Sequence, residues 1–335
     1  MSFTRRSPSV HRRHVLTAAL AATAGSLLLG ACGSGAASTA DAGTDRVGTG
    51  AEQINTSPDQ HRIHVGKVSS IAAKVPARIR ERGTLTFGLS TGSTPPLAFY
   101  ASDDRTLIGV ERDLATLVAD TLGLKPRFTP LSWENLFVGL DSGKLDGVFS
   151  NVTVTEERKE KYDFATYRLD ELGLEARKNS HWKVRGAADV AGKRIAVSSG
   201  TNQEKILVEW SRENEKAGRK PVDIAYYQNP SDYYLALQSG RIDGYFGPHP
   251  TAAYHVAASG QTEIVGTFSG GGKAVQGKIA ATTKKDNGLV DAYAAALQHV
   301  IDNGAYEKVL ARWNLRSEAV EKSEINPRGL PRTAE

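Results

Sequence analysis

One ten-residue passage occurs twice in this chain. Leu-Asp-Ser-Gly-Lys-Leu-Asp-Gly-Val-Phe at 140–149 returns 97 residues later as Leu-Gln-Ser-Gly-Arg-Ile-Asp-Gly-Tyr-Phe at 237–246. Each copy reads as a helix that stops at Ser-Gly, with the glycine in the left-handed cap, followed by a buried strand. A chain that makes the same helix-to-strand join at two distant places is expected to build two similar lobes. In open parallel sheets ligands sit beyond the carboxyl ends of strands, so Ser150-Asn151 and Gly247-Pro248 are both expected to face a cleft.

The rest of the pattern agrees with an α/β fold. A short strand is expected at Arg82–Gly88, and Leu114, Leu117, Val118 and Leu122 fall at helical spacing within Val110–Leu122. Strand-length apolar runs follow at Leu145–Phe149, Arg194–Val197, Ile224–Tyr227, Ile242–Phe246 and Lys278–Thr282. Helix-like stretches at Gln203–Glu215 and Leu289–Asn303 separate them. Alternation of this kind predicts parallel sheets. With 40% hydrophobic and 24% charged residues over 335 positions, the composition is that of an ordinary globular protein.

The N-terminus has a different character. Arg5, Arg6, Arg12 and Arg13 are the only charges before Cys32 and supply four of the formal +5, so no strong global field is left to attract nucleic acid. The apolar stretch Val15–Leu29 is too short for an ordinary spanning helix and suits a signal-peptide core. Leu29-Gly30-Ala31-Cys32 resembles a bacterial lipobox, in which the thiol receives a diacylglyceryl chain. Cys32 is the sole cysteine, which rules out a disulfide within one chain. Arg12-Arg13-His14-Val15-Leu16 also resembles a twin-arginine export signal. The expectation is a signal peptide over 1–31, a lipidated Cys32 and a flexible tether over 32–75. Such a protein sits on the outer face of the cell membrane.

From about Arg82 to Leu315 the sequence resembles the family 3 extracellular solute-binding proteins, the polar amino-acid receptors of ABC importers. The most specific stretch runs from Gly147 through Ser150-Asn151-Val152-Thr153-Val154-Thr155-Glu156-Glu157-Arg158-Lys159 to Tyr162-Asp163-Phe164. Pro95-Pro96-Leu97-Ala98-Phe99, Ser199-Gly200-Thr201 and Asn303-Gly304-Ala305-Tyr306-Glu307-Lys308 with Trp313 add matches in the right order.

The resemblance implies a periplasmic-binding-protein-like type II fold: two α/β lobes with a hinge and a ligand cleft. Lobe 1 would span 76–170 plus 272–320, lobe 2 would span 171–271, and 321–335 would be a C-terminal tail. The hinge is expected near Leu169–Glu175 and Phe268–Lys273, the latter carrying Ser269-Gly270-Gly271-Gly272.

Arg158 has the planar fork of donors that grips a carboxylate, which makes it the expected clamp for an acidic group. Thr153 would add a hydroxyl and Asn151 backbone groups. Thr201 and Asn202 open a helix whose N–H groups and dipole favour an anion. Trp133 falls where the family places an aromatic wall, and Ser90 begins the first-lobe loop Ser90–Pro95, which is one residue longer than usual.

One departure matters. Pro248 occupies the position where the family uses an Asp to hold the ligand's ammonium, and a proline cannot do so. Glu134, backbone carbonyls or His249 stand as alternatives, as does a solute without an amine.

The implied function is capture of a small carboxylate-bearing solute for an ABC permease, by a monomer attached to the membrane through its lipid. A cleft enzyme of the same fold, dehydratase-like with Glu134 as acid, and a tethered ligand sensor are the alternatives. No metal-ligand spacing, nucleophile–histidine arrangement or phosphate loop is present, so no metal, cofactor or catalytic residue is expected.

Overall fold

A computed structural model describes residues 54–90 and 95–332. The expected signal peptide, Cys32, the first part of the tether, residues 91–94 of the lengthened loop and residues 333–335 lie outside the described residues.

In chain order the elements are α1 (Ser69–Ala72), α2 (Ala77–Arg82), β1 (Thr84–Ser90), β2 (Phe99–Tyr100), β3 (Leu107–Ile108), α3 (Val110–Leu122), β4 (Lys125–Leu131), α4 (Trp133–Asp141), β5 (Gly147–Val148) and β6 (Tyr162–Leu169). There follow β7 (Glu171–Arg177), β8 (Arg194–Val197), α5 (Asn202–Lys216), β9 (Asp223–Tyr226), α6 (Pro230–Gln238), β10 (Gly244–Pro248), α7 (His249–Ser259) and β11 (Thr262–Ser269). The last are β12 (Lys278–Lys284), α8 (Val290–Asp302) and α9 (Ala305–Arg312).

Two five-stranded sheets result, one per lobe, in the orders β4-β1-β5-β12-β6 and β11-β7-β10-β8-β9. The sheets are mixed rather than parallel throughout. β1 pairs with β4 and β5, and β8 with β9 and β10, in parallel, whereas β12 pairs antiparallel with β5 and β6, and β7 antiparallel with β10 and β11. The reason is the double crossing. The chain runs straight out of lobe 1 on β6 into lobe 2 on β7 with only Asp170 between them, and returns from β11 to β12 through residues 270–277. A strand that comes back from the other lobe enters against the direction of the strand that left.

The repeated passage forms the same structure twice. α4 ends at Asp141 and α6 at Gln238, and Gly143 (φ 69°) and Gly240 (φ 74°) then take the left-handed conformation that any Cβ would make costly. Each sheet is apolar on both faces. Lobe 1 packs Phe87, Leu114, Leu117, Tyr293 and Leu297 on one side and Leu136, Leu140, Val152 and Phe164 on the other. Lobe 2 packs Leu172, Leu174, Leu207 and Trp210 on one side and Tyr233, Ala236, Leu237 and Tyr245 on the other.

Both ends of the folded region extend beyond the expected limits. The tether expected to reach residue 75 is ordered from Ile54. Ile54, Ile63 and Val65 lie on the lobe 1 core, while Arg62 pairs with Asp113 at 3.1 Å and His64 contacts Asp120 at 2.7 Å. Alternation of apolar and charged residues over 62–65 explains this, since alternate side chains of an extended segment reach opposite sides.

The expected tail is also a structural strap. Ile325 bridges to Ala165 and Leu330 to Thr155, Glu324 N–H donates to Thr166 Oγ1 (2.8 Å), and Asn326 donates to Asp163 (2.9 Å). It covers β6, which would otherwise present an open sheet edge.

Candidate functional site

A cavity of about 340 Å³ lies between the two sheets, and the ends of strands from both lobes line it. From lobe 1 come Ser90 at the end of β1, Ser132, Trp133 and Glu134 after β4, and Ser150 and Asn151 after β5. From lobe 2 come Ser198, Thr201, Asn202 and Gln203 between β8 and α5, Gln228 and Asn229 after β9, and Tyr245 and Pro248 of β10, with Tyr233 and Thr251. Both copies of the repeated passage therefore deliver the chain to the cavity wall. The volume and the position beyond the strand ends are those of a small-molecule site.

The expected residues divide into two groups. Ser90, Trp133, Asn151, Thr201 and Asn202 line the cavity; Arg158 and Thr153 do not. Arg158 Nη1 donates to Thr153 O at 3.0 Å, and Nη2 crosses the cleft to Gly200 O at 3.0 Å. Its guanidinium lies over the rings of Trp133 (5.3 Å) and Phe137 (5.4 Å). Burial lowers its pKa to about 10, against the pull of Asp170 and Tyr162, so it stays charged at physiological pH. Arg158 thus stands beside the cavity lining, with two of its five N–H donors on carbonyls, one in each lobe.

Thr153 is likewise turned away. It is fully buried, and its hydroxyl donates to Asp170 Oδ2 at 2.7 Å.

Asp170, which sequence reading did not single out, is the junction of the first crossing. Besides Thr153 it accepts from Asn202 Nδ2 at 3.0 Å, so the hinge carboxylate ties a lobe 1 loop to the start of α5. Asn202 also donates to Gly270 O on the return crossing, at 3.1 Å. A Cβ on Gly270 would fall 1.7 Å from Asp170 Oδ2, so only glycine allows the two crossings to approach this closely. Burial pushes the pKa of Asp170 up to about 6, while Thr153, Arg168, Arg158 and Asn202 pull it down.

The cavity wall has few charges. Glu134 is the only ionisable carboxylate, lysine or arginine side chain on it among the described residues. Opposite charge is offered by the start of α5, since a helix leaves its first peptide N–H groups without intrahelical partners. Glu204 Oε2 takes the N–H of Gly200 (2.6 Å) and Thr201 Oγ1 that of Glu204 (3.2 Å). Among the described residues, those of Asn202 and Gln203 have no such partner and are open to a ligand. Gln203 also carries a buried Oε1 with no hydrogen-bond partner among the described residues. Tyr233 and Tyr245, stacked at 3.7 Å and 6°, form an aromatic wall on the lobe 2 side. No local pattern marked Gln203, Tyr233 or Tyr245, because each reads as an ordinary helix or strand residue.

Beneath Asn151 lies a buried charge network. Arg168, wholly buried, donates to Asn151 Oδ1 (2.5 Å), to Glu111 Oε1 (2.9 Å) and to Glu318 Oε2. Asn151 is itself held at φ 52°, a conformation in which Asn is enriched. The network thus aims a cavity residue through a second, inner arginine.

Two α/β lobes, crossed twice by the chain and closed on a polar cavity at the strand ends, define a two-lobed solute-binding protein of the periplasmic type II fold. The chain belongs to the bacterial extracellular solute-binding proteins, family 3, whose family model matches residues 85–316. It is 31% identical over 237 residues to the L-cystine-binding protein TcyJ of Escherichia coli K12, covering 70% of this chain and 84% of that one. It is 29% identical over 266 residues to the arginine-binding protein ArgT of Corynebacterium glutamicum, covering 78% and 84%. Among solved structures it is similar to a putative L-cystine ABC transporter protein from Listeria monocytogenes (TM-score 0.61, 26% identity, covering 71% of this chain and 99% of that one). It is similar too to an ancestral arginine-binding protein bound to arginine (TM-score 0.60, 27% identity, 69% and 98%). Three of these four are named as binding proteins.

Proposed function

We propose that this chain is the solute-binding lipoprotein of an ABC-type importer and captures a zwitterionic amino acid or a close analogue. The observation that carries the reading is the polarity of the cavity: one carboxylate, Glu134, on the lobe 1 side and the open N-terminus of α5 on the lobe 2 side. The solute's carboxylate lies against the Asn202 and Gln203 N–H groups, and its ammonium against Glu134, which replaces the acidic group absent at Pro248. Trp133 and the Tyr233–Tyr245 stack enclose the side chain. Relatives that bind cystine and arginine support an amino acid of some length. Arg158 acts as the fastening between lobes, so that the solute is released to a permease when the Arg158–Gly200 bond opens.

The test is isothermal titration of the full-length protein with cystine, arginine, glutamine and amine-free organic acids. One or more amino acids are expected to bind, and Glu134→Gln is expected to cost about 1.5–3 kcal/mol, roughly 10- to 100-fold in affinity. Binding only by amine-free acids, or an unchanged affinity in Glu134→Gln, would sink the assignment. For the anchor, Cys32→Ser is expected to move the protein from the membrane to the soluble fraction; retention on membranes would remove the lipid from the reading.

A further inference from the structure

Three side chains from distant parts of the chain meet at the back of the cleft. Glu171 at the start of β7, His249 at the start of α7 and Glu318 in the turn after α9 each place a ligand-capable atom within 4.8 Å of the other two. Glu171 and His249 belong to lobe 2 and Glu318 to lobe 1. Glu318 is 1% exposed; Arg168 occupies its Oε2, and its Oε1 is buried with no hydrogen-bond partner among the described residues. A buried carboxylate oxygen without a partner is costly and calls for a cation or a donor.

The surrounding charge points the same way. Four carboxyl groups, those of Glu111, Asp170, Glu171 and Glu318, are gathered around two guanidiniums, those of Arg158 and Arg168, so oxygen ligands outnumber the cationic side chains at the hinge.

We propose that Glu171, His249 and Glu318 form a site for a borderline divalent cation, Zn²⁺ above all, that ties the two lobes together. One imidazole nitrogen and two carboxylate oxygens suit such an ion, with a fourth position open to water. Atoms that share one Zn²⁺ at about 2.0–2.2 Å lie roughly 3.4 Å apart, so the present spacing of up to 4.8 Å has to contract by about an ångström as the ion binds. The hard ions Mg²⁺ and Ca²⁺, which require six or more oxygens, do not fit this donor set. The site is separate from the solute cavity, whose wall includes none of the three residues. It therefore stands or falls independently of the solute reading.

Metal-stripped full-length protein titrated with ZnCl₂ tests it. One Zn²⁺ per chain is expected, with a rise in melting temperature, and Co²⁺ in its place is expected to give the visible absorption of a tetrahedral site. His249→Ala and Glu171→Gln should each weaken Zn²⁺ binding by about tenfold or more while their melting temperatures in EDTA match that of the parent protein. Both avoid Glu318, whose removal would strand Arg168. No stoichiometric uptake of Zn²⁺, or uptake that His249→Ala leaves unchanged because other histidines hold the ion, would overturn the site.

Discussion

Asp146 and Asp243 stand at the same place in the repeated passage and do the same work in different lobes. Asp146 donates its N–H to Thr86 O (2.8 Å) and accepts Thr86 N–H on Oδ2 (2.8 Å); Asp243 donates to Arg194 O (2.7 Å) and accepts from Arg194 N (2.8 Å). Each closes a two-bond ring onto the neighbouring strand, a reason for the Asp that neither hydrophobic period nor cap rules supply. Arg158 shows the opposite relation between sequence and role. Its type, a fork of donors, was legible; its acceptors were not, because the carbonyl of Gly200 arrives from the other lobe. Arg158→Lys keeps the charge but cannot hold Thr153 O and Gly200 O together. The expected result is a loss of solute affinity of roughly tenfold or more by calorimetry, since a hydrogen bond from a charged donor is worth about 1.5–3 kcal/mol. The same affinity in the variant would mean that the cross-lobe bond does not contribute to holding solute.

At the scale of elements, α3 and β8 have the limits that residue spacing indicated, and α5 and α8 lie within a residue or so of them. Helical period and Gly caps are local, so short windows carry them. β6, β7 and β11 were missed as strands because Tyr162–Leu169, Glu171–Arg177 and Thr262–Ser269 carry buried polar residues, among them Asp163, Arg168 and Glu175, in place of an apolar run. Those polar groups find partners far away in the chain but within their own lobe, Asp163 in Asn326, Arg168 in Glu111 and Glu318, and Glu175 in His255, which no window shows. The paired caps give a quantitative check. Gly143→Ala and Gly240→Ala each force a Cβ into the left-handed region at a cost of about 1–2 kcal/mol. An added Cβ meets nothing at Gly143, whereas at Gly240 it meets Arg177 Nη1 at 2.9 Å, an end that can shift. Thermal unfolding should show a loss of roughly 2–4 °C per kcal/mol for each. The double variant should sum the two losses, because the sites lie in different lobes; a marked departure from additivity would argue that the lobes do not unfold as separate neighbours of their caps.

For the whole molecule, the extended segment from Ile54 enlarges lobe 1, and the strap to Arg332 runs along lobe 1 and sets Leu330 in the lobe 2 core. Arg312 donates to Gln60, Arg62 reaches Asp113, and Leu330 packs beside the hinge against Gly272. A protein begun at residue 54 is expected to keep the solute affinity and melting temperature of the full-length chain. One begun at residue 76 strips buried Val75 and the partly buried Ile63 and Val65 from the lobe 1 core and is expected to melt several degrees lower, since a fully buried apolar side chain is worth about 1.5–3 kcal/mol and a partly buried one less. Equal melting temperatures, read by differential scanning calorimetry, would return residues 54–75 to the tether.

The repeated Ser-Gly-x-x-Asp-Gly passage, the alternation of strands and helices and the order of family matches determined two α/β lobes and the loops that line the cavity. Caps, periods and strand ends depend on neighbours a few residues away, so the chain states them directly. Tertiary structure alone decided where the polar groups of those loops point. Thr153 turned inward to Asp170, Arg158 placed two of its donors on carbonyls of different lobes, and Glu171, His249 and Glu318 came together at the back of the cleft. The Arg158–Gly200 bond and the Glu171–His249–Glu318 cluster join residues of different lobes, far apart in the chain. A buried donor or acceptor takes whichever partner the fold brings within reach.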